Sequence, residues 1–446
     1  MSSLDQIVEV NISQQTQAVP QASFSIPLIV GPTMPTSGTI NAYTSPQGML
    51  ANGYTTSSPE YVYALELFEQ PLTPTIFYVG YRAPAVEQVD TITVVTATSG
   101  HLYEGMIEGE TWSYTASGGD TQSTIATAIA SAINALANPT WNAVAVGAAV
   151  TITSTVPGLA FTDTQITPDA KYTIASVTPN YGIQDDINGY LAQSNGNAWY
   201  GMCACDFTDS DIEQCAALIE SLKKIFIAVS STSAIATNSV TDVGSILKGK
   251  SYKRTALIYT PEAVEGKDAA WLGGQLPQVP GSNNWAFKTL FGCTPDSLSA
   301  NQQVILIGDP VAQVPGKNVN IYQTVGGVNV TQMGTMAGGQ FIDLTVGIDW
   351  LQSTIQTNIY EQLVESPKIP YTDSGTAVLI SAVKAAIDLG VTNGLIDGAS
   401  PISITAPLVL SVPQNQRANR VAPTISFSCR LAGAFNAVVV NGTVTV

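Results

Sequence analysis

Hydrophobic positions along the chain switch between two periods. SFSIPLIVG (23–31) is a continuous apolar run closing on Gly31, and TPTIFYVGY (73–81) is another. Runs of this kind predict strands covered on both faces. Between them, SSPEYVYALELFEQ carries Tyr61, Ala64, Leu65 and Phe68 on one helical stripe, with Ser58 at the N-cap and Pro59 at the first helical position. Strand, helix and strand in this order predict a β-α-β unit of a parallel sheet. The rhythm returns after residue 198, where AWYGMCAC, IFIAVS (225–230) and RTALIYT (254–260) read as strands. SDIEQCAALIESLKK reads as a helix opened by Ser210 and Glu213 in capping-box spacing, and VTDVGSILKG as a short helix.

Between these stretches the pattern changes. Residues 88–179 are rich in Thr, Ser, Ala and Gly and alternate with period two, as in DTITVVTA, AVAVGAAVTITST and KYTIASVT. One helix interrupts them, TQSTIATAIASAINALA, with Ile125, Ile129, Ile133 and Leu136 on one face. We read 88–179 as a β-rich inserted domain; the alternative is a continuation of the main sheet. Further on, DWLQSTIQTNIYEQLVE (349–365) predicts a helix capped by Asp349, with Trp350, Leu351, Ile355, Ile359 and Leu363 on its apolar face. SGTAVLISAVKAAIDLG predicts a second helix ending at Gly390, and ISITAPLVLSV and TISFSCRLAG predict strands.

Both ends of the sequence read as strands. Val8, Val10 and Ile12 alternate ahead of a polar, Pro-containing tether, Gln14 to Ala22. In LAGAFNAVVVNGTVTV (431–446), the β-forming Val438, Val440, Thr443, Val444 and Val446 flank or follow Asn441-Gly442, and no Lys, Pro or acidic residue blunts the run. Such strands need an edge to pair with, on a neighbouring subunit or on their own. The chain as a whole predicts a multi-domain α/β protein: a layered α/β core, a β-rich inserted domain and extended β-strand terminal arms. Its segments are 1–22 (N-terminal arm), 23–87 and 180–335 (the two parts of the core), 88–179 (insert), 336–430 (C-terminal α+β domain) and 431–446 (C-terminal arm).

Composition narrows the function. Only 11% of the 446 residues are charged, so the surface is built largely from Ser, Thr, Asn, Gln and Gly, which suits a protein packed against copies of itself. Net charge is −17 with no basic cluster, which disfavours nucleic acid. A single histidine, His101, lowers the expectation of base catalysis or zinc. The five cysteines are too scattered for a disulfide framework and fit a reducing compartment. MSSLDQIVEV lacks the features of a secretory signal, and no apolar run reaches the length of a membrane span, so membrane insertion is not expected.

Candidate chemistry is sparse. GSILKGKS (Gly244–Ser251) has the letters of a Walker A loop, but it precedes a strand instead of following one, so Gly249 reads as a helix C-cap with Lys248 and Lys250 beside the carbonyl end. Cys203 and Cys205 face one way on a strand and read as small buried residues. Asp343 and Asp349 are a weaker carboxylate pair than a helix cap. No catalytic, cofactor-binding or metal-binding residue is expected.

Several stretches together resemble the contractile-tail sheath proteins of bacteriophages. SSPEYVYALELFEQPLTPTIFYVGYR (57–82) is similar to their N-terminal segment. GGQFIDLTVGIDWLQSTIQTNIYEQLVESPKIPYTDSG (338–375) is similar to their C-terminal domain, and RLAGAFNAVVVNGTVTV (430–446) to their closing strand. The resemblance is greatest to a branch formerly catalogued as a domain of unknown function. It implies a structural subunit of the virion tail, assembled in the host bacterial cytoplasm, that forms stacked rings around a tail tube and contracts to drive the tube through the host envelope. Implied partners are copies of itself, the tube protein, and the baseplate and tail terminator proteins, with no cofactor. It also implies that the helix at 349–365 lies towards the tube, with Gln352 and Gln356 as contact candidates. The competing readings are another self-assembling surface or virion protein, and an α/β enzyme.

Overall fold

The computed structural model describes residues 23–444 apart from 138, 194–197 and 262–264. The expected strand at Val8, Val10 and Ile12 and the terminal Val446 lie outside the described residues. Val279–Asn283 and Asp343–Ala434 belong to one unit; Phe24–Gln278, Asn284–Ile342 and the segment from Phe435 on belong to the other.

The larger unit begins with β1 (Pro27–Gly31), β2 (Ile40–Tyr43), helix α1 (Pro59–Phe68) and β3 (Phe77–Tyr81). Seven strands and one helix follow: β4 (Val89–Val94), β5 (Leu102–Ile107), β6 (Glu110–Thr115), α2 (Gln122–Asn134), β7 (Trp141–Val146), β8 (Ala149–Ser154), β9 (Asp163–Gln165) and β10 (Tyr172–Thr178). The α/β alternation then resumes with α3 (Ile183–Gln193), β11 (Gly201–Ala204), α4 (Asp209–Ile219), β12 (Ile225–Ser230), α5 (Val243–Gly249), β13 (Thr255–Tyr259), α6 (Lys267–Gln275) and α7 (Ala300–Ile307).

The main sheet has the order β13-β12-β11-β1-β3-β2. Five strands are parallel, and β2 pairs antiparallel to β3 at one edge. Helices cover both faces, so the side chains of Leu28, Ile29 and Val30 on the central β1 are all fully buried. That double burial is why the strand reads as an unbroken apolar run. The other edge, β13, is not left bare: Asn320 N–H donates to the Leu257 carbonyl at 2.7 Å, and Tyr259 N–H to the Asn320 carbonyl at 2.9 Å.

Helix starts are set by side-chain caps. Ser58 caps α1 by position, but its hydroxyl accepts the Thr55 N–H at 3.0 Å and not a helical N–H. α4 opens two residues earlier than Ser210 and Glu213 suggested, because Thr208 and Asp211 form the reciprocal pair there. Asp349 is a correction of the same kind. Helix α8 runs Ile342–Glu365, which puts Asp349 in its interior and buried.

Residues 89–178 fold as two antiparallel sheets, β10-β4-β8-β7 and β6-β5-β9, around α2. Ile125, Ile129 and Ile133 of α2 are fully buried with Trp112, Trp141 and Tyr172 in a hydrophobic cluster made only from this stretch. The main sheet has its own cluster. The edge of β7 is closed by Asn134, whose amide gives and takes 2.8 Å hydrogen bonds with the Ala143 backbone, imitating a strand. Chain entry and exit meet at an antiparallel bridge between Val86 and Tyr181, with the Val86 N–H to Tyr181 carbonyl bond at 2.8 Å. Gly158 and Gly182 pass so closely that a Cβ on Gly182 would stand 2.7 Å from Gly158 Cα.

This neck generates a prediction. Replacing 88–179 by a short Gly-Ser linker, which joins ends already side by side, is expected to leave one cooperative transition with a melting temperature within about 4 °C of the parent, the shift of roughly 1 kcal/mol. Calorimetry checks this; an insoluble product would assign the stretch to the main core.

Candidate functional site

In the smaller unit, α8 is joined by α9 (Asp373–Thr392). Gly347 and Gly390 sit inside these helices, where glycine costs up to about 1 kcal/mol against alanine. Both are explained by close approach: a Cβ on Gly347 would stand 2.2 Å from Leu395 Cδ1, and one on Gly390 2.8 Å from Ile396 Cδ1. Gly390 therefore does not end α9, which continues to Thr392 with Asn393 as C-cap. The Thr372 hydroxyl caps its start, and the neighbouring Asp373 carboxylate accepts the Val409 N–H at 2.8 Å, tying the following loop to the helix.

α8 carries apolar residues on two faces. Trp350 and Leu351 are buried, and the Asn358 amide donates to the Ala382 carbonyl of α9 at 3.3 Å. Ile348, Tyr360, Leu363 and Val364 are exposed. Leu363, expected on the buried face, thus turns to the surface, where Gln352 and Gln356 are exposed as well.

Beyond the helices, Ser403–Thr405 pairs antiparallel with Ser426–Ser428 in a two-stranded ladder. Each strand keeps an outer edge without a ladder partner among the described residues. In the larger unit, the segment from Phe435 to Val444 forms no strand within this chain. The Asn436 amide donates to the Met333 carbonyl at 3.0 Å, and after it Val438, Val440 and Val444 are 75%, 86% and 94% exposed. The strand-forming residues of the sequence are present there with nothing of their own chain to pair with among the described residues.

The chemical candidates resolve into structure. GSILKGKS is helix, not phosphate loop. Asp242 caps α5, its carboxylate accepting the Ser245 N–H at 3.1 Å and pairing with Lys317 at 2.6 Å. The amides within the motif close the helix: Ile246 N–H meets the Asp242 carbonyl and Lys250 N–H the Ile246 carbonyl. The C-cap is Lys250, not Gly249, and Ser251 takes the left-handed turn at φ 56°. Lys248 reaches the Gly316 carbonyl at 2.5 Å. Cys203 and Cys205 are buried, and their thiols face the Leu28 and Val30 carbonyls. His101 pairs with Asp169 at 2.5 Å on the insert. Among the described residues, no group of three or more His, Cys, Asp or Glu could hold a metal ion.

Residues 342–400 match the family model described as E217 tail sheath protein gp31-like, C-terminal domain. The match spans α8, α9 and the turn that follows, so the exposed residues of α8 lie within the matched stretch. Among solved structures, the chain is similar to a sheath tail protein from Desulfitobacterium hafniense, at 10% identity, TM-score 0.45, covering 95% of this chain and 100% of that one. It is also similar to the sheath of an extracellular contractile injection system in its contracted state, at 7% identity, TM-score 0.48, covering 98% and 97%. No curated protein matches.

The α5 geometry generates the next prediction. Asp242→Ala removes a cap and leaves the partly buried Lys317 without its carboxylate, which is expected to cost roughly 2 kcal/mol in a denaturant titration. Magnesium-ATP is expected to leave the melting temperature of the parent and of Lys250→Ala unchanged, since a ligand of the folded state would raise it.

Proposed function

We propose that this protein is the structural subunit of a contractile tail sheath: it polymerises as stacked rings around a tail tube and shortens to drive the tube through a host envelope. In this reading it works in the virion tail, is assembled in the bacterial cytoplasm, and meets the tube, baseplate and tail terminator proteins besides its own copies. No catalytic step belongs to it. The observation that carries the reading is the largely apolar run from Ala437 to Val444, exposed and without a ladder partner among the described residues, on a chain whose residues 342–400 match a sheath C-terminal domain and that also carries an open two-stranded ladder.

Energetics favour an intermolecular strand. Ordering the eight residues 437–444 costs on the order of 10 kcal/mol of backbone entropy. Burying Val438, Val439, Val440 and Val444 returns about 2 kcal/mol each, and ladder hydrogen bonds about 1 kcal/mol each. Neither term alone covers the cost; addition to a neighbour's sheet edge supplies both. The N-terminal residues Val8, Val10 and Ile12 are read as a second such arm. Arms that stay paired while the bodies rotate would let rings rearrange without separating, so contraction is a change of packing between subunits. On α8, Gln352 and Gln356 are the proposed tube-facing residues.

Truncation separates this reading from self-pairing. Removing 437–446 is expected to leave a monomer whose melting temperature moves by no more than about 2 °C, since residues 437–444 are exposed, while tubes visible by negative-stain microscopy disappear. A truncated chain that still forms regular tubes would remove the C-terminal arm from the account.

A further inference from the structure

Helices α1 and α6 lie side by side, and Gly273 lets them meet: a Cβ there would stand 2.3 Å from the Leu67 carbonyl oxygen. At the N-terminal end of α6 this joint is lined with acids. Glu66 of α1 leans on Gly266, where a Cβ would stand 1.9 Å from Glu66 Oε2. Asp268, fully buried, accepts the Ala204 N–H at 3.3 Å, and Glu60, also fully buried, accepts the Thr33 N–H at 2.6 Å. Glu265 accepts the Thr294 N–H at 2.8 Å, and Glu69 Oε2 lies against Gly292. The cation set against them is Lys267, fully enclosed and engaged elsewhere: its Nζ donates to Asp296 at 2.7 Å and to the Thr260 hydroxyl at 3.0 Å.

The second observation is what these acids lack. Among the described residues, Glu60 Oε2, Glu66 Oε2 and Asp268 Oδ1 are buried without a hydrogen-bond donor, and the Tyr63 hydroxyl between α1 and the sheet has no partner. Glu66 is half-buried, and with one enclosed oxygen lacking a donor its charged form is disfavoured, a cost that a proton lowers. The groups facing Glu66 on balance disfavour its charge. Glu69 and Tyr63 share its helix, Glu265, Lys267 and Asp268 come from the start of α6, Cys203 from β11, and Cys293 from the loop beyond. Burial, then Glu265 and Glu69, outweigh the Gly266 N–H and Lys267 and push Glu66 up to about 7. Burial holds Asp268 well above the usual carboxylate range.

We propose that the junction of α1 with the first turn of α6 is a proton-held latch, closed while Glu66 carries a proton and loosened when Glu66 ionises. Loosening frees the start of α6 and the loop around Cys293 from α1 while the rest of the sheet stays folded. The direction follows from the folded group holding its proton more tightly than the unfolded or opened one. Stability from the latch is complete below the ordinary glutamate value of about 4.5 and is lost as pH rises through about 7. The latch is independent of the sheath reading and would operate in a lone subunit.

Hydrogen exchange on the full chain at about pH 5.5 and about pH 8, corrected for intrinsic exchange rates, tests it. Protection over α1 and α6 is expected to fall on the order of tenfold at the higher pH, while β1 is unchanged. In Glu66→Gln the fall is expected to vanish, with protection at both values like that of the parent at low pH. Equal protection in the parent at both values, or a fall that persists in Glu66→Gln, would overturn the latch. Should Glu66→Gln fail to fold, Glu265→Gln decides: removing that repulsion is expected to make the Glu66 carboxyl more acidic, so protection is lost from a lower pH, and an unmoved midpoint overturns the proposal.

Discussion

A strand cannot satisfy its own backbone. Every N–H and C=O along it needs a partner from another segment, and an edge that lacks one is open to whatever chain arrives. This constraint organises the molecule. The main sheet ends on one flank in the short antiparallel β2 and covers part of the other with the Asn320 backbone. The insert closes β7 with the side chain of Asn134. The ladder of 403–405 with 426–428 keeps open flanks, and the strand-forming segment from Phe435 to Val444 has no ladder partner among the described residues. The open ladder and the exposed segment are the parts that the account assigns to pairing between subunits.

How far the fold was legible depended on whether local and tertiary signals agreed. β1, β3, β12 and β13 stand out because both faces are covered, which turns each into an apolar run. β2 did not, since INAY at a sheet edge needs no such run. The start of α8 was misplaced by seven residues because Asp349 looks like a cap, and Gly347 looks like a break until Leu395 is seen to fill the space a side chain would occupy. Caps two residues apart, as at Thr208 and Ser210, are chemically equivalent in sequence, and only the register of α4 chooses between them.

The site was legible in composition more than in position. The scarcity of histidine and the wrong order of GSILKGKS pointed away from chemistry, and the motif is the body of α5, its C-cap Lys250 and the turn at Ser251. The acidic joint was invisible because its members come from α1 and the start of α6, about two hundred residues apart and brought together by the parallel crossover. The outward Leu363 and Tyr360 escaped notice for a simpler reason: a helix with apolar residues on two faces has no single stripe to read.

The central claim is that the exposed C-terminal segment becomes a strand of another copy's sheet. A cryo-electron microscopy map of the assembled polymer tests it most directly. The account predicts extended density for 437–444 lying in ladder register against a sheet of a neighbouring subunit, with Val438 and Val440 buried there. Density for the segment folded back onto its own subunit, or left in solvent while the tube holds together, would contradict it.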